Sequence, residues 1–354
     1  MGSTSASSGQ TAGSGLAPPS VLVSIIGVLV SLTLTFIGLT AITFVISRVM
    51  PVDPVLAIVG DRASDEVYQQ VYMQLGLDQP IYVQYLRYLG QLAEGDLGTS
   101  IMTAQPVIDD IKRFFPATLE LATVATLLGI FVGVPMGVFA AVHQGRWPDH
   151  IVRVIALLGY SAPIFWLGLV ALLIFYANLG WVAGPGRLDV YFDGIVEPRS
   201  GILLLDAALA EEWEIFRNAL SHLILPASIL GTFALAYIAR MTRSFMLDQL
   251  SQEYILTARV KGIPERQVIW RHAFRNVLVQ LITIIGLTYA SLLEGSVLTE
   301  TVFSWPGIGQ YITHSLFNND MNAVLGGTIV VGVCFVGINM LSDLLYRLVD
   351  PRVR

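Results

Sequence analysis

The sequence predicts an all-α integral membrane protein with six transmembrane helices, cytoplasmic N- and C-termini and a structured first periplasmic loop. Three observations carry this. Of 354 residues, 54% are hydrophobic and only 13% charged, about half the charged share of an ordinary soluble domain. Apolar residues gather into runs of about 20, the length at which a helix crosses a bilayer. The few basic residues gather in alternate connections, which orients the chain by the positive-inside rule.

The same numbers exclude several functions. A net charge of −6 gives no basic footprint for nucleic acid. The single cysteine, Cys334, forbids an intramolecular disulfide or a cysteine-cluster metal site, and the five histidines lack zinc-ligand spacing. Only two lysines occur, Lys112 and Lys261. Neither sits in the Gly-rich loop that cradles nucleotide phosphates. No cofactor is expected on this chain; if ATP drives it, another subunit binds the ATP and magnesium.

Residues 1–20 are rich in Ser, Gly, Thr and Ala without a charged side chain, and read as a flexible tail. The first span, within 21–50, has its apolar run at 23–47. It lacks the basic leader of a signal peptide and exceeds the usual apolar core of about 7–15 residues, so it is read as retained. Residues 51–116 form the periplasmic loop, with helical spacing over 64–75 and 80–94, which reads as two short amphipathic helices on the outer surface. A five-helix core follows over 117–354, with runs at 117–142, 154–178, 222–239, 277–298 and 323–346. Helices are required because backbone in hydrocarbon must bond within its own segment.

Connection 143–153 holds two arginines against one acid, and 240–276 holds seven basic residues against three acids. With three arginines at the C-terminus, these are the cytoplasmic regions. Connections 50–116 and 179–221 carry four basic against nine acidic, and three against seven, and belong outside. A short helix over 203–220 is expected along the interface.

Within the basic connection, Leu247, Leu250, Tyr254 and Ala258 make one apolar stripe on a helix. Gly262, after Lys261, matches a glycine helix stop, and Pro264 starts a second helix. Periodicity alone leaves two readings open: a helix resting on anionic lipid, or a site for a partner.

The run Glu253-Tyr254-Ile255-Leu256-Thr257-Ala258-Arg259-Val260-Lys261-Gly262, followed by Arg271-His272-Ala273-Phe274-Arg275-Asn276, resembles the cytoplasmic signature loop of ABC-importer permeases. More narrowly, it resembles the version found in the dipeptide/oligopeptide/nickel branch. Ala258 and Gly262 match the general permease pattern. Leu256 stands where that pattern has Glu, and its later Ile-x-Leu-Pro is absent. Leu75-Gly76-Leu77-Asp78-Gln79-Pro80, Gly95-Asp96-Leu97-Gly98-Thr99-Ser100, Phe115-Pro116-Ala117-Thr118-Leu119-Glu120-Leu121 and Thr301 through Gly309 resemble other parts of the family in order.

The resemblance implies a bacterial inner-membrane, multi-pass permease subunit of an ATP-driven importer for dipeptides, oligopeptides or similar solutes. It implies four kinds of partner: a second homologous permease subunit, two cytoplasmic ATPase subunits, a periplasmic or extracellular substrate-binding protein, and membrane lipid. The chain itself is then not an enzyme. The loop 244–264 would be the coupling element, with Glu253, Tyr254, Thr257, Ala258, Arg259, Lys261 and Gly262 contacting the ATPase. Nickel, glutathione, opine and oligosaccharide importers share this scaffold, so the substrate stays open. An ion-gradient-driven transporter is the alternative; it calls for midplane carboxylates and inverted repeats, and neither is visible.

Four further residues are candidates to line a pathway. Glu294 falls in the outer third of the fifth run, where a carboxylate faces a cavity or snorkels to the interface. Tyr160, Pro163 and Trp166 surround a proline interruption of the third run, which reads as a hinge or as a static kink. Trp305-Pro306-Gly307-Ile308-Gly309 reads as a re-entrant turn or an interfacial aromatic anchor.

Overall fold

The computed structural model describes residues 21–49, 53–60 and 62–349; the expected tail over 1–20 lies outside them. In chain order the helices are α1 (Val21–Val49), α2 (Pro54–Val59), α3 (Asp65–Gln74), α4 (Ile81–Ala93), α5 (Val107–Val142), α6 (Trp147–Ser161) and α7 (Ile164–Ala171). They continue as α8 (Leu203–Leu209), α9 (Trp213–Leu250), α10 (Glu253–Val260), α11 (Glu265–Gln267), α12 (Phe274–Gly295), α13 (Val297–Val302), α14 (Ile308–Phe317) and α15 (Met321–Val349). Wider π-helical turns extend α7 through Leu172–Asn178 and join α11 to α12 through Val268–Ala273. No strand occurs among the described residues, only an isolated pairing of Thr99 with Pro106.

Four helices among the described residues are long and apolar enough to cross a membrane: Val107–Val142, Trp213–Leu250, Glu265–Gly295 and Met321–Ser342. The pair Trp147–Ser161 and Ile164–Asn178 makes a fifth if taken as one span, but it bends by 99°. α1 is apolar over Leu32–Ile46.

The bundle is organised around α5 and α9, which run in parallel with their backbones nearly touching. Gly129, Gly133 and Gly137 recur every fourth residue along α5 and so line one face. A Cβ on Gly129 would meet Ala234 Cβ at 2.7 Å, and one on Gly137 would meet the Ala239 carbonyl oxygen and Thr242 Cβ at 2.6 Å. Gly231 answers from α9, where a Cβ would lie 3.0 Å from the Ala125 carbonyl oxygen. Small residues let helix backbones approach where lipid offers no hydrophobic drive to association. Leu121 and Ala125 of α5, Leu223, Leu230 and Ile238 of α9, and Leu281 and Leu292 of α12 close the main core.

The helices define two ends. One, the acidic end, carries the segments 53–60, 62–106, 179–212 and 296–320; the other, the basic end, carries 143–147 and 251–264. α3 and α4 occupy the two stretches expected to be helical, separated by a turn at Gly76 with φ +68°. α5 begins ten residues before the expected run, because Val107 and Ile111 pack on Ile308, Tyr311 and Ala323.

Other boundaries also differ from the sequence expectation. The helix expected over 203–220 breaks at Glu211, whose φ of +59° is left-handed; α8 stops and α9 begins. α9 then holds Pro226 in its interior, so the shortest apolar run lies in a 38-residue helix. The third run is two helices joined at a sharp bend of 99°. Ala162 is extended (φ −80°, ψ 133°), as the residue before proline prefers, and Pro163 caps α7. Finally, the stripe from Leu247 to Ala258 is divided between α9 and α10 by Ser251 and Gln252.

Gly137→Leu should lower stability by about 1–3 kcal/mol, the usual cost of overpacking. Gly337→Ala, where a Cβ meets nothing within 4 Å, should be neutral or slightly stabilising in α15. Thermal unfolding of both variants in detergent micelles measures the difference.

Candidate functional site

The chain's densest basic connection folds into an elbow at the basic end. α9 ends at Leu250, and Gln252, extended at φ −74° and ψ 150°, turns the chain into α10. Ile255 and Ala258 face inward and share the main core with Met246, Val268, Ala273 and Val277. At the far end the Gly262 N–H donates to the Arg259 carbonyl (3.0 Å) and the Ile263 N–H to the Ala258 carbonyl (3.2 Å). These two bonds form the Schellman stop, with Gly262 at φ +74°, where a side chain would be strained.

Side chains brace the elbow. The Tyr254 hydroxyl donates to Gln249 Oε1 at 2.8 Å and accepts from Asn276 Nδ2 at 3.0 Å, so one phenol ties α10 to both flanking helices. Arg259 reaches across the turn to Glu265 through Nε (3.2 Å) and Nη2 (2.7 Å). The Glu265 carboxylate beside Arg259 raises that guanidinium's pKa further.

Ala258 is therefore inside, Gly262 makes the turn, and Tyr254 and Arg259 brace it. Glu253, Thr257 and Lys261 are exposed on the opposite face of α10. Between them stand Leu256, 63% exposed, and Val260, 80% exposed. The stripe through Leu247 and Ala258 overlooks these two residues. Their signal was a second four-residue step, Leu256 to Val260, offset from that stripe.

A clamp lies beneath the elbow. Arg243 of α9 donates to Asp149 in the first turn of α6 through Nε (2.6 Å) and Nη2 (2.9 Å), and the Gly145 N–H adds a third donor at 3.0 Å. Asp149 is buried, so its charge requires such partners.

The pathway candidates fall in two places. Tyr160 stacks on Phe233 at 5.4 Å, and the Arg240 guanidinium lies 5.4 Å from the Tyr160 and Tyr237 rings. Tyr160, Pro163 and Trp166 sit at the α6–α7 bend and are exposed. Glu294 is exposed at the acidic end of α12, with no hydrogen bond or ion pair among the described residues.

Glu300 is a fully buried carboxylate of that region. Its Oε1 accepts from Thr118 Oγ1 (2.7 Å) and Ser296 Oγ (2.9 Å), and its Oε2 from the Gln310 N–H (3.0 Å). Burial pushes the Glu300 carboxyl up, against these donors and the Gly309 N–H. The turn 303–307 wraps this group: a Cβ on Gly307 would collide with the carboxyl, and one on Gly309 would meet Val297 Cα at 2.7 Å. Trp305 is fully buried and donates through Nε1 to the Ala117 carbonyl at 2.9 Å. It is thus a packing residue of a tight turn rather than an interfacial anchor. Glu120 joins the same cluster by accepting from Arg187 at 2.6 Å and from the Leu204 N–H at 2.8 Å. The pair of glycines seven and nine residues after Glu300 was the available sequence signal.

The family described as "Binding-protein-dependent transport system inner membrane component" matches residues 133–354. Its N-terminal companion, "Binding-prot-dependent transport system membrane comp, N-term", matches residues 21–122. The chain is 48% identical over 322 residues to the probable D,D-dipeptide transport system permease protein of Escherichia coli (strain K12), covering 91% of this chain and 94% of that one. It is 44% identical to the di/tripeptide transport system permease protein of Pseudomonas aeruginosa (strain UCBPP-PA14), with 90% and 95% covered. It is also 44% identical to the dipeptide transport system permease protein of Escherichia coli (strain K12), with the same coverage.

Glu300→Ala should cost about 2–4 kcal/mol, because it strands buried hydroxyl and backbone donors. Glu294→Gln should stay within about 0.5 kcal/mol, as exposed substitutions do. Thermal melts of the two variants side by side check the contrast.

Proposed function

The chain belongs to the family of binding-protein-dependent transport system inner membrane components, and from that membership we propose that it forms half of the translocation pathway of an ATP-driven importer for dipeptides or short oligopeptides. In this reading six spans cross the membrane, α1 and the bent α6–α7 pair among them. The basic end and both termini face the cytoplasm, and the acidic end receives solute from a substrate-binding protein. A second homologous permease completes the pathway. Two ATPase subunits bind ATP and magnesium and act on this chain through 244–264. Tyr160, Pro163, Trp166 and Glu294 are the proposed pathway-facing residues.

The observation that carries the reading is the outward face of α10. A short helix stands at the basic end, anchored from behind by Ile255 and Ala258, with Leu256 and Val260 uncovered between Glu253, Thr257 and Lys261. Apolar anchors ringed by polar residues are what a docking helix offers a groove. The peptide substrate is supported by the printed names of relatives at 44–48% identity.

Val260→Asp and Leu256→Asp should each weaken ATPase docking by roughly tenfold or more, the scale of losing one buried anchor. Both should leave folding intact. Gly262→Leu should uncouple hydrolysis from uptake, whereas Gly262→Asn, which tolerates a left-handed backbone, should retain coupling. Peptide-stimulated ATP hydrolysis in proteoliposomes holding the assembled importer reads all four variants. Normal coupling in Val260→Asp would sink the assignment of α10.

The same proteoliposomes decide the substrate and the energy source. Uptake of labelled dipeptides should require internal ATP and the binding protein, and nickel chelates, glutathione, opines and oligosaccharides should compete poorly. Uptake driven by an ion gradient with this chain alone would favour a secondary transporter.

A further inference from the structure

α4 carries more apolar surface than the protein covers. At 3.6 residues per turn, its side chains fall into three strips. Tyr85 and Tyr88 face α1, and Leu92 on the same side lies by Leu325 and Ile329 of α15. The Tyr85 hydroxyl lies 3.0 Å from Thr40 Oγ1 and donates to the Ile37 carbonyl at 3.2 Å. The Phe44 ring lies 5.3 Å from Tyr85 and 5.8 Å from Tyr88. Gln84, Arg87 and Gln91 form a polar strip, and the Arg87 guanidinium rests against Gly76 in the α3–α4 turn. The third strip is Tyr82, Leu86 and Ala93. Tyr82 is 66% and Leu86 64% exposed, and Ile81 at the helix start is 68% exposed.

The depth of α4 decides what meets this third strip. Its partners Ile37 and Thr40 lie inside the apolar stretch Leu32–Ile46 of α1. Thr40 is nine residues before the helix end at Val49, or about 14 Å along the axis at 1.5 Å per residue. α4 therefore lies beside the span and below its end. α1 itself exposes apolar side chains over the same stretch, Leu34, Ile42 and Val45 among them.

We propose that α4 is embedded in the leaflet at the acidic end of the bundle. Its Tyr82–Leu86–Ala93 strip lies against acyl chains, and Gln91, with the α3–α4 turn that Gln84 and Arg87 hold, faces headgroups and water. A helix of this kind buries its apolar face about 5–10 Å below the headgroups, and tyrosine is suited to that boundary. The occupant is lipid because a span whose own exposed face is apolar is the immediate neighbour of the strip.

The test uses the full chain with Cys334→Ser, carrying a nitroxide at Leu86→Cys, Tyr82→Cys or Gln91→Cys, in nanodiscs of phosphatidylethanolamine and phosphatidylglycerol. Collision with oxygen should exceed collision with a water-soluble nickel chelate at positions 86 and 82, and the ratio should reverse at 91. A label at 86 or 82 that the chelate reaches freely would place α4 in water and overturn the proposal. Shielding from both reagents would also overturn it, since protein, including a second copy of the chain, would then cover the strip. Positions 86 and 82 report on the same strip independently, so the loss of one variant to misfolding leaves the test standing.

Discussion

The close approach of α5 and α9 is the constraint on which the rest of the structure depends. In hydrocarbon, association comes from packing rather than from release of water, and Gly129, Gly133, Gly137 and Gly231 remove the atoms that would hold the two backbones apart. Because the two helices run in parallel, fixing them fixes both ends of the bundle at once. Thr118 and Glu120 then stand where the segments 184–206 and 296–310 can bond to them. At the other end, Arg243 stands where Asp149 can reach it.

Scarcity of charge makes each buried charge informative. Glu300, Glu120 and Asp149 are all buried, and each accepts at least three hydrogen bonds. Such groups are costly unless fully partnered, so they pin segments far apart in sequence. Asp320 does the same at the start of α15, accepting from Ser100 Oγ and from the Met102 N–H at 3.1 Å. The acidic end is thus held by carboxylates with neutral or single-cation partners, and the elbow at the basic end by a core, a phenol and one surface ion pair.

Much of the fold was legible in the sequence because its signals were local. Apolar run length, the glycine at position 262 and the spacing over 64–75 and 80–94 each report on a neighbourhood of a few residues. What escaped was decided at a distance. The early start of α5 depends on Ile308 and Tyr311, and the importance of Glu300 over Glu294 depends on Thr118, 182 residues away. The outward face of α10 is hidden from the sequence for a different reason. Its periodicity was real, but helical spacing gives a stripe without saying whether it points at the protein or away from it, and Ala258 points at the protein.

The braces around α10 also set its stiffness. An element joined to its neighbours only by backbone would fold away under load and turn an applied displacement into local disorder. Here Ile255 and Ala258 are seated in the same core that holds α5, α9 and α12, while Tyr254 and Arg259 stop the element from rolling or splaying. A displacement of Val260 by a few ångströms must then be passed on as rigid-body motion of the helices behind it. In the proposed coupling role the elbow would be a lever with its fulcrum already set, and mechanical work done on it at one surface would be delivered across the bundle.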